Sequence, residues 1–154
     1  MATIKDLVDE IQTIANAHQP LKGFAFEDTD YLNKDRGSNY PFLLMDRNVR
    51  LNSYESKTGQ RLYTCNFIWY DLYHRQIEAD SDSQDLEFTL ETLSTQFIQE
   101  FQNRVQLQSP VKFAINNIST GQYGFYKLVD RLYSLQIQIQ FRVIGSCPTG
   151  IFNY

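Results

Sequence analysis

The side chains able to act as nucleophiles or soft metal ligands are few and scattered: Cys65, Cys147, His18 and His74. A Cys–His pair could supply a thiolate with the imidazole as its base. Here Cys65 could meet His18 or His74 only after folding, and a buried cysteine usually packs as a small hydrophobe. Two cysteines make no disulfide framework. The stretch Asp28-Thr29-Asp30-Tyr31-Leu32-Asn33-Lys34-Asp35-Arg36-Gly37 is calcium-like in composition. It misses the register: Leu32 stands at the third ligand position, the glycine is late and no bidentate Glu closes the loop. A turn-rich solvated loop is expected there instead. Arg61, Tyr63, Phe67, Trp69, Tyr73 and Arg75 interleave aromatics with cations, as a single-strand nucleic-acid platform does. Core packing explains the same aromatics more simply. The spacings of a nucleophile elbow, phosphate loop, dinucleotide fingerprint or zinc site do not occur. The expectation is a protein that is not an enzyme and uses neither cofactor nor metal.

Composition narrows the class further. A chain of 154 residues fits one domain, large enough to bury a core without disulfides or metal. Hydrophobic residues make up 42% and charged residues 21%, which excludes a disordered or collagen-like chain. The apolar runs fall short of the roughly 18 residues of a membrane span. The N-terminal MATIKDLVDE lacks the apolar region of a signal peptide, so synthesis in a cytoplasm is expected, with no membrane partner. The unusual figures are 11 Phe and 10 Tyr, which suit sheets and interfaces. Net charge is −4 but segregated: −4 over residues 1–30, +3 over 31–75, −7 over 76–100 and +4 over 101–154. An acidic chain without a basic tail is a poor tight binder of nucleic acid. The segregation suits either pairing within one monomer or copies meeting through unlike surfaces.

The elements that must position these residues follow from periodicity. Ile4, Leu7, Val8, Ile11, Ile14 and Ala15 share one face of a helix over 3–17, with Thr3 and Asp6 as its cap. Phe24–Phe26 is a short strand, 27–39 a polar loop and Tyr40–Leu51 a strand. A turn around Lys57–Gln60 leads into a long strand, Arg61–Tyr73. That strand is apolar on both faces and needs cover on both. Leu86, Leu90, Leu93, Phe97, Phe101 and Val105 mark a helix over about 84–105, its acidic start suiting the helix dipole. Strands are expected at 111–118 and 125–129, and the clearest one spans 132–144. In it Tyr133, Leu135, Ile137, Ile139, Phe141 and Val143 alternate with Ser134, Gln136, Gln138, Gln140 and Arg142. The expected fold class is α+β: one antiparallel or mixed sheet with two main helices on one face. It occupies a single domain over residues 1–145, followed by an extended C-terminal tail or arm, 146–154.

This order of elements resembles the small head–tail connector proteins of tailed bacteriophages, the tail-terminator and tail-completion (neck ring) family. The resemblance covers nearly the whole chain. It is carried by IQTIANAH, YPFLLMD, LYTCNFIWYDLYH, SDSQDLEFTLETLSTQFIQEF and LYSLQIQIQFRVIG. Similar layouts occur in phages of Bacteroidetes hosts, including the crAss-like group. The resemblance implies a structural virion protein, made in the host cytoplasm and located in the neck or tail. It would form a symmetric ring of six or twelve copies between portal-side and tail-side proteins. DNA would pass through the lumen without specific binding. Trp69, Tyr70, Tyr73, Ile151, Phe152 and Tyr154 are then candidates for contact with neighbouring subunits. Gln136, Gln138 and Gln140 are candidates for the channel wall, because amides hydrate a surface without the counterion exchange that makes cationic surfaces hold DNA. Two other classes stay open: a generic α+β interaction module with no virion role, and a small enzyme whose site forms between subunits. Light scattering on the purified chain separates ring from module, since a ring greatly exceeds 18.1 kDa.

Overall fold

A computed structural model describes residues 2–34, 40–72, 79–119, 121–127 and 131–145. The elements run α1 (Ile4–Ala17), β1 (Gly23–Glu27), α2 (Tyr31–Lys34), β2 (Phe42–Asp46), β3 (Arg50–Tyr54) and β4 (Arg61–Leu72). They continue with α3 (Ala79–Gln106), β5 (Phe113–Ile118), β6 (Gln122–Lys127) and β7 (Arg131–Val143). Two long strands form the axis of one mixed sheet. β4 and β7 pair antiparallel along their length, from Arg61 opposite Val143 to Leu72 opposite Leu132. At about 3.3 Å per residue the axis is roughly 40 Å long. Each long strand is then flanked by two short ones. On one side β2 pairs with β4 through Phe42–Met45, and β3 takes the other end, Arg61–Thr64. On the other side β5 and β6 divide β7 between them. β1 adds to β2 in parallel.

The α+β expectation holds, with α1 and α3 on one face. Thr3 and Asp6 form a reciprocal cap at the start of α1: the Thr3 backbone N–H donates to Asp6 Oδ2 at 2.8 Å and the Asp6 N–H to Thr3 Oγ1 at 3.3 Å. Leu7, Ile11, Ile14 and Ala15 of α1 are buried. They share a core with Leu90, Leu93, Phe97 and Phe101 of α3 and with Leu135, Ile137, Ile139 and Phe141 of β7. Cys65, Phe67 and Trp69 of β4 complete it. The opposite face carries a second, smaller core in which Leu32 packs with Phe42, Leu44, Ile68, Tyr70 and Leu132.

Four boundaries differ from the sequence expectation. The strand foreseen over 40–51 is two strands, β2 and β3, separated at 47–49. The break lets them serve opposite ends of β4 on the same side. α3 begins at Ala79 rather than near 84, so the acidic stretch is its first turns instead of a preceding loop. β6 begins at Gln122, inside the stretch expected to be a turn. The polar loop holds the one-turn helix α2. The turn at Lys57–Gln60 is as expected, with Gly59 at φ 73°, the left-handed region that favours glycine. The expected tail, 146–154, lies outside the described residues.

Candidate functional surface

Alternation along β7 sends Tyr133, Leu135, Ile137, Ile139, Phe141 and Val143 to the helices. The intervening residues face the other way. Tertiary context divides that second face into two halves. Near the start of β7, Tyr70 stands opposite Ser134 and Ile68 opposite Gln136. This half is covered: Leu32 of α2 is buried on it, and the Tyr31 ring stacks on Phe42 at 5.7 Å between centroids. Among the described residues the other half has no such cover. There Asn66 stands opposite Gln138, Thr64 opposite Gln140 and Leu62 opposite Arg142. Gln122 of β6 continues the field from its place opposite Gln136.

The polar side chains of this half orient one another. Asn116 Nδ2 donates to Gln140 Oε1 at 2.6 Å, and Arg142 Nη2 donates to Asn116 Oδ1 at 3.0 Å. Ser119 Oγ donates to the Gln138 side chain and backbone carbonyl, both at 3.1 Å. Thr64 donates to Asn52 on β3. Gln138 is exposed, and Gln136 and Gln140 are half-buried. The two arginines of the field, Arg50 and Arg142, stand at its margin: Arg50 is across from Thr64 on edge strand β3, and Arg142 is near the end of β7. The result is a patch of neutral amides and hydroxyls between the two arginines. It offers hydrogen bonds to water without a strong field.

The remaining sequence candidates lie elsewhere. Trp69 and Tyr70, expected to touch a neighbouring subunit, are fully buried within the single chain. Trp69 faces α3, with its ring 5.7 Å from Phe97, while Tyr70 is held in the second core beside Phe42 at 5.3 Å. They offer no surface to another copy, because at this end of β4 the chain itself covers both faces. Phe67 and Trp69 are likewise core residues, so the aromatic–cation series is no nucleic-acid platform. Tyr73, Ile151, Phe152 and Tyr154 lie outside the described residues, as do His74 and Cys147. Burial pushes the Cys65 thiol up to about 12, leaving it protonated and non-nucleophilic at neutral pH. His18 is drawn to α3, where its Nε2 lies 2.8 Å from Gln96 Oε1. It lines an open cleft of about 380 Å³ between α1 and α3, with Gln96, Glu100 and Arg104. Arg104 Nε donates to Glu10 Oε1 at 2.5 Å across the two helices. In the calcium-like stretch, Leu32, which breaks the ligand register, is the plug of the second core.

Sequence reasoning missed the contributions of β3, β5 and β6 to the polar field. Asn52, Asn116 and Ser119 join it through cross-strand register, and no local pattern marks them. Among the described residues, no helix is long and apolar enough to cross a membrane. Comparison with models of known protein families and with characterised proteins finds no match to this chain.

Proposed function

We propose that this protein is a structural component of a phage neck or tail: a ring of six or twelve copies between portal-side and tail-side proteins, with DNA passing through its lumen. The amide half of the sheet, centred on Gln138 and Gln140 with Gln136 at its boundary with the covered half, faces that lumen. The observation that carries this reading is the character of that patch. Among the described residues it is uncovered, and it is hydrogen-bonded within itself, with its arginines at the margin. An ordinary solvent-facing strand mixes Lys and Glu for solubility and to block edge pairing. A DNA wall gains from their absence, because each cation set against phosphate releases counterions and retards sliding. The resemblance in element order to neck ring proteins supports the same reading, with the virion as the proposed location.

The test replaces amides by cations. Gln138→Lys at the exposed site, and the triple Gln136, Gln138 and Gln140 to Lys, are compared for particle assembly and DNA ejection. Particles of normal composition that release DNA slowly, with the delay relieved by added salt, are the expected result. Gln138→Lys guards against misfolding at the two half-buried positions. Normal ejection from assembled particles carrying either variant refutes the lumen placement.

A further inference from the structure

Two exposed apolar patches stand apart from the amide field, and each carries the charge the other lacks. On α3, Leu86, Leu90 and Leu93 turn inward, so Phe88 points outward and is 65% exposed. Asp85 and Glu91 flank it one turn to either side, both exposed. Residues 79–103 contain six Asp or Glu and no Lys or Arg. Glu91 also accepts a hydrogen bond from Tyr123 at 3.2 Å, which orients the carboxylate without removing its charge. On the β3–β4 hairpin, Leu51 and Tyr54 are 50% and 56% exposed. Every residue of β3 is exposed. Over 47–64 the chain carries Arg47, Arg50, Lys57 and Arg61 against Glu55 alone.

The two patches lie at opposite ends of the sheet. Glu87 of α3 accepts from Tyr133, near the start of β7, at 2.5 Å. The hairpin abuts the other end, where Arg61 is paired with Val143. With the length of the β4–β7 axis between them, they cannot satisfy each other within one chain. Two copies can bring them together.

We propose that the Phe88 face of α3 on one copy docks on the β3–β4 hairpin of the next. Phe88 sits against Leu51 and Tyr54, which share the helix-side face of β3, and Asp85 and Glu91 face Lys57 in the hairpin turn. The occupant is a second copy because the apolar centres and the signs of their rims match between the two patches. Joining unlike surfaces makes the contact heterologous, the kind that closes rings. An apolar centre with charged rims also predicts salt-sensitive association. The inference rests on the reading of this chain as self-assembling, and adds where the copies touch.

The test is a charge swap on the full chain, read by sedimentation and light scattering at low and high salt. One variant carries Asp85→Lys with Glu91→Lys, the other Lys57→Glu. Each alone should run as the 18.1 kDa monomer, and an equimolar mixture should reassemble, because each supplies the sign the other needs. Phe88→Ala should weaken association by about tenfold or more, as loss of an aromatic anchor does, with the thermal midpoint of the monomer unchanged. Variants that assemble like the wild type, or a mixture that stays monomeric, overturn the docking. If wild type closes into rings indifferent to the swaps, the docking fails and the ring reading stands. If the swaps act as expected but assembly stops at two copies, the docking stands and the ring fails. A wild-type chain monomeric at every concentration refutes both.

Discussion

Phe97→Ala is the sharpest probe of how α3 is held. Phe97 is 1% exposed, and its ring lies 5.8 Å from Phe67 and 5.7 Å from Trp69, in tilted and edge-on geometries. Truncation removes the ring's burial and leaves a cavity that rigid neighbours on β4 fill only partly. The expected cost is about 3–5 kcal/mol, a range that already contains the aromatic-pair contribution of roughly 0.5–1.5 kcal/mol. Against a typical domain stability of about 5–15 kcal/mol, that is a large fraction. At about 2–4 °C per kcal/mol for a chain of this size, the thermal midpoint should fall by roughly 6–20 °C. Trp69 is the single tryptophan, fully buried, so its fluorescence reports exposure of the same core during urea unfolding. The comparison is Phe88→Ala on the same helix, 65% exposed, which should stay within about 0.5 kcal/mol when measured on dilute monomer. Phe97→Ala within 1 kcal/mol of wild type, or Phe88→Ala equal to it, would show that the inward stripe is assigned to the wrong side of α3; the ~1 kcal/mol threshold is set by the size of ordinary surface effects.

Two further outcomes follow from protonation. With Cys147 replaced by Ser, the Cys65 thiol, raised to about 12 by burial, should resist a thiol reagent at pH 8 in the native state and react stoichiometrically in denaturant; fast native labelling counts against a sealed core (a pH about half a unit below an ordinary free thiol's pKa). The Asp6 carboxyl is held below its ordinary 3.8, first by the Thr3 backbone N–H and then by the Thr3 hydroxyl. Its contribution is therefore present above that value and lost as pH falls through the lowered one. Asp6→Ala should reduce stability at pH 7, by an amount typical of a helix cap, up to about 1 kcal/mol, and the gap from wild type should close on acidification. A gap that does not narrow with pH refutes the cap's role.

Much of the fold is legible in the sequence where one signal dominates. β7 shows strict alternation from Tyr133 to Val143, and α1 shows a capping residue followed by a three- and four-residue apolar step. The strand now seen as β4 is apolar on both sides, which correctly demands cover on both. What covers the second side is not legible. Leu32 is a single apolar residue in a polar stretch, and its importance depends on Phe42, Ile68 and Tyr70 arriving beneath it from β2 and β4. The division of one apparent strand into β2 and β3 is equally hidden, because local composition favours extended backbone on both sides of the break. Only the pairing needs of β4 separate them. For the same reason the aromatics Trp69 and Tyr70 were open to an interface role: their types suit one, and only the surrounding elements show that both are enclosed.

The same distinction bears on function. Alternation says that Ser134, Gln136, Gln138, Gln140 and Arg142 share a face, yet the face is not uniform. Where β4 presents Ile68 and Tyr70 across from it, α2 closes over the sheet; where β4 presents Thr64 and Asn66, none of the described residues covers the face and its side chains bond to each other. The uncovered half carries amides, while exposed apolar side chains flanked by strong charge stand at opposite ends of the molecule, on α3 and on the β3–β4 hairpin. On the proposed reading these are complementary solutions to one requirement. Copies must hold each other firmly through apolar centres with paired charge, and the surface turned to a moving polyanion must hold nothing. A chain with lysines spread evenly over both surfaces would meet neither condition. The charge swap and the amide-to-lysine series therefore perturb separate surfaces: the first should change assembly and leave the wall neutral, and the second should leave assembly intact and slow the DNA.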